Sequence, residues 1–490
     1  MMRYDDLWLP GKYTDSKAIP GFSAIKFPCF SVCFRGHNGF SPHASRLTPH
    51  ASLTSTTIQT MPSRAHFLTT CLLLGGVLSL CVGTVCAYPI DAFEETGIAR
   101  LEGYRLAQQG MVPGNRLPPG AQLPAAQIRL RLQDQADLEI PAADAELTRR
   151  IVRLLGADAP RYSISVLDLS DPAAPLYAEH NGDTRRNPGS VGKLMVGLAL
   201  LQTLADIYPD DLAARRHVLK DSLVTADAFI RTDHHVVPFW RPEENRMRRR
   251  PLREGDTANL WSYLDWMMSA SSNAAASTVM QQVLLLRHFG ADYPATPEQT
   301  QAFLEQTPRK DLGDLWVDTM KSAVMRNGLD PEDLRQGSFF TRQGKQRAPG
   351  TNSVSTTHAL IRYLLRMEQG RLVDPWSSLE IKRLLYMTQT RIRYASAPVL
   401  RDAAVYFKSG SLYRCEPEEG FVCKQYQGNV DNLMNSVAVV ESPAGEPRLF
   451  YMVAITSNVL KRNSAVEHQT LATRLHALLQ GLRSAAAAAE

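Results

Sequence analysis

Apolar and polar positions alternate clearly in one early segment, Tyr162 to Leu169 (YSISVLDL), as in a half-buried strand. A Ser170-Asp171-Pro172 turn returns the chain to a second strand around Leu176-Tyr177-Ala178. Just upstream, Pro141-Ala-Ala-Asp144 opens a helix with acids in its first turn and Arg149, Arg150 and Arg153 later, as the helix dipole favours. From Leu194 to about Tyr386 the period is mostly helical, as in Leu194–Ala205, Leu260–Leu286 and Thr357–Met367. Polar loops separate these helices, among them the Arg-rich 241–253 and the stretch 335–352. Strand patterns return at Ala404–Lys408, Ser436–Val440 and Leu449–Ser457, and an amphipathic helix, Val466–Leu482, precedes an Ala-rich tail. The pattern predicts an α/β fold: a mostly antiparallel five-stranded sheet flanked by helices, with a large all-helical insertion over about 194–400.

The longest apolar run, Phe67 to Ala87, stands before all of this. Read from Met61, it has a short basic start (Arg64, His66), an apolar middle and a small-residue end, Val85-Cys86-Ala87. That is the pattern of a secretory signal over 61–87, cleaved before Tyr88. About 20 apolar residues could also span a bilayer, but the Gly and Thr content and the cleavable end favour removal. Residues 1–60 have no clear period and are read as an over-extended start. Residues 88–140 form an N-terminal extension with a Pro/Gly-rich linker, Val112 to Pro124, and 141–490 the main domain. No second apolar stretch of spanning length is evident, so no membrane span is expected after cleavage.

Composition excludes the non-globular classes. Apolar residues are 44% and charged residues 21%, ordinary for a folded chain. A net charge of +5 is too small to argue for nucleic acid, and much of it sits in the first 87 residues. Five of the seven cysteines (Cys29, Cys33, Cys71, Cys81 and Cys86) also lie there. The two others, Cys415 and Cys423, flank an acidic loop, and in an exported protein they are expected to pair.

Three short motifs carry chemistry. In Ser190-Val191-Gly192-Lys193 a Pro188-Gly189 breaker precedes the helix, so Ser190 sits at its start and Lys193, three residues on, shares its face. A serine hydroxyl becomes a nucleophile when a neighbouring base takes its proton, and a lysine serves only when neutral. Ser271-Ser272-Asn273 places a hydroxyl and a carboxamide within a helical segment. Lys408-Ser409-Gly410-Ser411 closes a strand, where a cation and a hydroxyl suit a carboxylate and Gly410 allows close backbone approach.

In that order and context, the motifs resemble the serine β-lactamase and penicillin-binding protein superfamily over about 145–482. The Pro251-Leu-Arg-Glu-Gly-Asp256 lead-in is similar to that of class A β-lactamases. The resemblance implies Ser190 as acylated nucleophile, Lys193 as its base, and Ser271 as proton relay to the leaving nitrogen. It implies that Asn273 orients a substrate amide and that Lys408 and Ser409 bind the substrate carboxylate, Lys408 also lowering the Lys193 pKa. The backbone N–H groups of Ser190 and Ser411 would form the oxyanion hole. Two departures stand out. Ser272 occupies the place where class A enzymes carry Asp, and no Glu-x-x-Leu-Asn pattern supplies a deacylating glutamate, since neither Glu305 nor Glu332 is followed by Leu-Asn.

Asp233-His234-His235 lacks a third ligand at metal-binding spacing and reads as a loop pair; Arg246 to Arg250 reads as a solvated loop. No cofactor is implied. The leading expectation is a periplasmic or secreted enzyme that hydrolyses the β-lactam ring through an ester on Ser190. The rival is a D,D-peptidase acting on peptidoglycan stem peptides, favoured by the missing glutamate. A non-catalytic cell-wall-binding protein is the third reading, opposed by the intact Ser190, Lys193, Ser271 and Lys408.

Overall fold

The computed structural model describes residues 90–487, apart from 115, 389 and 390; the signal-like segment 61–87 and residues 1–60 lie outside them. Five strands form the main sheet: β1 (Tyr162–Asp168), β2 (Leu176–His180), β3 (Ala404–Arg414), β4 (Asp431–Ser442) and β5 (Leu449–Asn458). Their spatial order is β2-β1-β5-β4-β3, antiparallel throughout. The first strand therefore pairs with the last, and the long excursion between β2 and β3 leaves one edge and returns to the other. β1 is buried at all its positions and β5 at all but its last, because helices cover both faces.

On one face pack α2 (Ala145–Leu155) and the terminal α6 (Ser464–Ala487), joined to the sheet through Leu147, Ile151, Leu471, Leu475 and Leu479. Asp144 caps α2, accepting from the Leu147 N–H at 2.6 Å. The other face carries the larger core, built around α3 (Lys193–Ile207). Every residue of α3 from Lys193 to Leu204 is buried, and apart from Lys193, Gln202 and Thr203 the stretch is apolar, as suits a central helix. By composition Gly189–Ile207 could span a membrane, a second such segment that the sequence reading passed over, but it is enclosed by protein.

The insertion is not all-helical. Three two-stranded ribbons interrupt it: Leu223–Thr225 with Thr257–Asn259, Val236–Arg241 with Arg246–Pro251, and Leu334–Arg335 with Val354–Ser355. The Arg-rich stretch expected as a solvated loop is the second strand of the middle ribbon. It has no apolar alternation of its own to betray it. The ribbon holds because Arg250 stacks 4.0 Å over Phe239 and because Trp240 and Met247 close on Gly103 of α1 (Ala99–Gln108), where a Cβ would meet Trp240 at 2.5 Å.

Residues 90–140 are likewise no loose extension. Ile98, Leu101, Leu123, Ile128 and Leu132 join the larger core. Arg100 on α1 is buried in a two-point ion pair with Asp265. Within the stretch expected to be a linker, the Gly120 N–H donates to Arg401 O at 3.0 Å, and a side chain at Gly120 would collide with Ala403.

Candidate active site

Ser190 lies in the tight turn Gly189–Gly192 that feeds α3, and Lys193 is the first residue of that helix. The Lys193 Nζ stands 2.8 Å from Ser190 Oγ. It also donates to the Ser271 carbonyl and to Asn273 Oδ1, both at 2.7 Å, and lies 4.6 Å from the Phe340 ring centroid. Full burial pulls the Lys193 pKa down to about 7, with the Asp233 carboxylate acting in the opposite direction. A neutral amine has two N–H bonds. The two carbonyl acceptors can take both, which leaves the lone pair facing Ser190. The expected cause, a charge on Lys408, is not what depresses Lys193; desolvation is.

The second motif sits at a break, not inside one helix. The segment expected as a single helix from Leu260 to Leu286 is two, α4 (Leu260–Met268) and α5 (Asn273–Phe289). Ser271 between them has φ +58°, which turns the chain so that its carbonyl meets Lys193 and its hydroxyl meets Lys408. Ser272 caps α5, accepting from the Ala275 N–H at 3.1 Å. Its own hydroxyl donates to Asp233 Oδ2 at 2.9 Å, and the Ala274 N–H donates to the same oxygen at 2.8 Å.

Asp233 is thus a site residue that sequence reasoning missed. Its mark in the sequence is the triplet Asp233-His234-His235, which reads there as a loop pair. In the structure His235 Nδ1 lies 2.6 Å from Asp233 Oδ1. Burial alone would raise the Asp233 pKa. The His235 hydrogen bond and charge, the Ala274 N–H and the Lys193 charge outweigh it and hold the carboxyl well below its usual range.

The third motif lies on the edge strand β3. The buried Lys408 Nζ is 2.8 Å from Ser271 Oγ and 3.1 Å from the Ser409 carbonyl. Burial, then Lys193, then Arg393 push its pKa well below that of a free lysine. An arriving carboxylate would favour the charged form again. Gly410 permits what no other residue would, since a Cβ there would lie 2.3 Å from the Pro188 carbonyl and 2.6 Å from the Ser190 nitrogen. The Ser190 and Ser411 amides, expected to form the oxyanion hole, meet at this junction.

Arg393, also missed, comes from the loop before β3. It donates to Ser409 Oγ at 2.8 Å and Ser411 Oγ at 3.1 Å and stacks 4.8 Å over Tyr426. Arg393 and Tyr426 both have positive φ, which their sequence does not advertise. Tyr426 belongs to the loop between β3 and β4, where Cys415 and Cys423 are joined in a disulfide with Cα atoms 6.1 Å apart.

A cleft of about 200 Å³ opens beside Ser271, Lys408 and Ser409. Phe340 lies against Lys193, and the buried Gln336 lies against Gly192. Neither brings a carboxylate. Glu305 and Glu332 are both exposed, paired with Gln301 and Arg335.

The sequence model of the β-lactamase enzyme family matches residues 146–477. No curated protein matches the chain. Among solved structures, it is similar to a β-lactamase from Chitinophaga pinensis at 14% identity, covering 68% of this chain and 98% of that one with a TM-score of 0.44. A class A β-lactamase representative from Bacteroides cellulosilyticus gives 17%, 69%, 96% and 0.44. A protein titled PBP-A gives 12%, 71%, 100% and 0.42. On the family match, whose span encloses all three motifs, this chain belongs to the β-lactamase enzyme family and is a serine hydrolase.

Proposed function

We propose that the protein opens β-lactam rings by forming an ester on Ser190. Lys193, its pKa lowered to about 7 so that a free amine is available near neutrality, takes the hydroxyl proton as Ser190 Oγ attacks the ring carbonyl. The oxyanion is met by backbone amides. The proton then passes through Ser271 to the ring nitrogen as the C–N bond breaks, and Lys408, Ser409 and Arg393 hold the carboxylate. The observation that carries this reading is the buried Lys193 Nζ at 2.8 Å from Ser190 Oγ, with the Ser271 carbonyl 2.7 Å from Lys193 and the Ser271 hydroxyl 2.8 Å from Lys408.

A second reading, a D,D-peptidase acting on peptidoglycan stem peptides, is favoured by one feature. The acceptors around Lys193 are a hydroxyl, a backbone carbonyl and a carboxamide, with no carboxylate among them to activate a hydrolytic water. Export to the periplasm or outside the cell belongs to both readings and is supported by the signal-like 61–87 and the disulfide.

Incubation with a fluorescent penicillin, alongside a chromogenic cephalosporin, separates the readings. Rapid turnover without lasting label supports β-lactam hydrolysis, and a persistent label on Ser190 supports the peptidase. Neither label nor turnover would overturn both.

A further inference from the structure

Arg393 reaches Ser409 and Ser411 from a backbone conformation that it does not itself favour. Its φ is +54°, a left-handed value that costs a non-glycine residue energy and persists only where the surroundings hold it. On its C-terminal side the hold is local, the Ser396 hydroxyl donating to the Arg393 carbonyl at 2.6 Å. On its N-terminal side the hold comes from Arg391. That guanidinium donates to three main-chain carbonyls: Leu400 at 2.7 Å, Ala403 at 2.8 Å and Gly120 at 2.8 Å. The first two bonds close the loop 391–403 onto the start of β3. The third ties it to the N-terminal extension.

Gly120 is built into this junction from several directions. Its N–H donates to Arg401 O at 3.0 Å, and its carbonyl accepts from the Tyr386 hydroxyl at 2.9 Å as well as from Arg391. A Cβ at Gly120 would collide with the Ala403 carbonyl, so the approach requires glycine. The Tyr386 hydroxyl in turn accepts from the Leu123 N–H at 3.0 Å, and Arg100 of α1 donates to Met387 O at 3.0 Å. The extension therefore grips the chain that leads to β3 at 386–387 and again at 391–403.

We propose that Gly120 and Arg391 are positioning residues for substrate binding: through them the N-terminal extension fixes the loop that presents Arg393 to the substrate carboxylate. Both act through Arg393. The inference rests on the acyl-serine reading above, with Arg393 as a carboxylate ligand. It deepens that reading by making residues far outside the three motifs part of carboxylate recognition.

A cephalosporin and its methyl ester, which lacks the carboxylate charge, test this on the full chain. Acylation of Ser190 is followed by mass shift, and the readout is the ratio of the acid's second-order rate constant to the ester's. Arg393→Ala should lower that ratio about 20-fold, the scale of a lost hydrogen bond between charged groups. Arg391→Met and Gly120→Ala should each lower it about fivefold, less because Arg393 is displaced and not removed. Arg391→Lys, which keeps a cation able to donate to these carbonyls, should recover part of the loss. Tyr386→Phe removes one hydroxyl and keeps the ring, so it probes the same junction where a harsher variant fails to fold; a fall of about twofold is expected. A role confined to stability would slow acid and ester alike and leave the ratio at its wild-type value. Unchanged ratios in Arg391→Met, Gly120→Ala and Tyr386→Phe, with a lowered ratio in Arg393→Ala, overturn the inference and leave the acyl-serine reading standing. An unchanged ratio in Arg393→Ala overturns the inference together with the carboxylate role of Arg393. Absence of labelling of the wild type by either compound overturns the acyl-serine reading as well.

Discussion

The Asp233 carboxylate accepts a hydrogen bond from the Ser272 hydroxyl at 2.9 Å. This contact explains how the second motif works with a serine at its middle position: the acid arrives from an upstream turn and ties down the start of α5. Ser271 and Asn273, which flank Ser272, are thereby held on Lys193. Asp233→Asn should cost about 2 kcal/mol of stability, the loss of a buried charged acceptor. Because the folded pKa is depressed, that contribution is intact above about pH 4 and lost as the pH falls further. Removing the carboxylate also removes what raises the Lys193 pKa, so the acylation profile should shift to lower pH. Urea unfolding at neutral and acid pH, with acylation rates across the same range, checks both.

Lys193 should set the lower limb of activity. Its depressed pKa means the free amine is lost as the pH falls below about 7, so acylation should rise through that value to a plateau. Lys193→Met should reduce the acylation rate by about 10²–10⁴-fold. Stopped-flow acylation with a reporter penicillin measures both. A profile with no inflection near neutrality would rule out Lys193 as the base.

Gly410→Ala tests the seam between β3 and the nucleophile turn. The added methyl would contact the Pro188 carbonyl and the Ser190 nitrogen, so the turn must move away from the strand. A displacement near 1 Å at reacting groups costs on the order of 10²-fold in rate. Acylation should fall by that order while circular dichroism stays that of a folded chain.

On the proposed role of Arg393 at the substrate carboxylate, the disulfide loop should bear on binding through Tyr426, which Arg393 stacks over. Replacing Cys415 and Cys423 by Ser should cost roughly 2–3 kcal/mol, the loop being short. It should also raise KM for carboxylate-bearing substrates, as Arg393→Ala should do directly. Since the two changes share one route, their combined effect on KM should be less than the product, which a double-mutant cycle reads.

The three motifs and the five strands of the sheet were legible in the sequence because each is local. Alternation marks β1, a run of apolar residues marks β5, a breaker and a helical period place Ser190 and Lys193, and a glycine follows Lys408-Ser409. The break between α4 and α5 was not legible, because apolar periodicity continues through Trp266 and Ala276 while the turn depends on one positive φ at Ser271. The Arg-rich ribbon was missed because its stability lies in cross-strand and α1 contacts. Asp233 and Arg393 were invisible as site residues because they act across 39 and 16 positions of chain, on Ser272 and Ser409.

By itself, then, the sequence located the three motifs that the fold brings together around Ser190, Lys193, Ser271 and Lys408. Tertiary structure alone decided how they are tuned. Burial, more than any neighbouring charge, brings Lys193 to about 7, and Asp233 and Arg393 reach their partners only once the chain has folded. Desolvation and long-range hydrogen bonds are properties of packing, and no local pattern of residues records them.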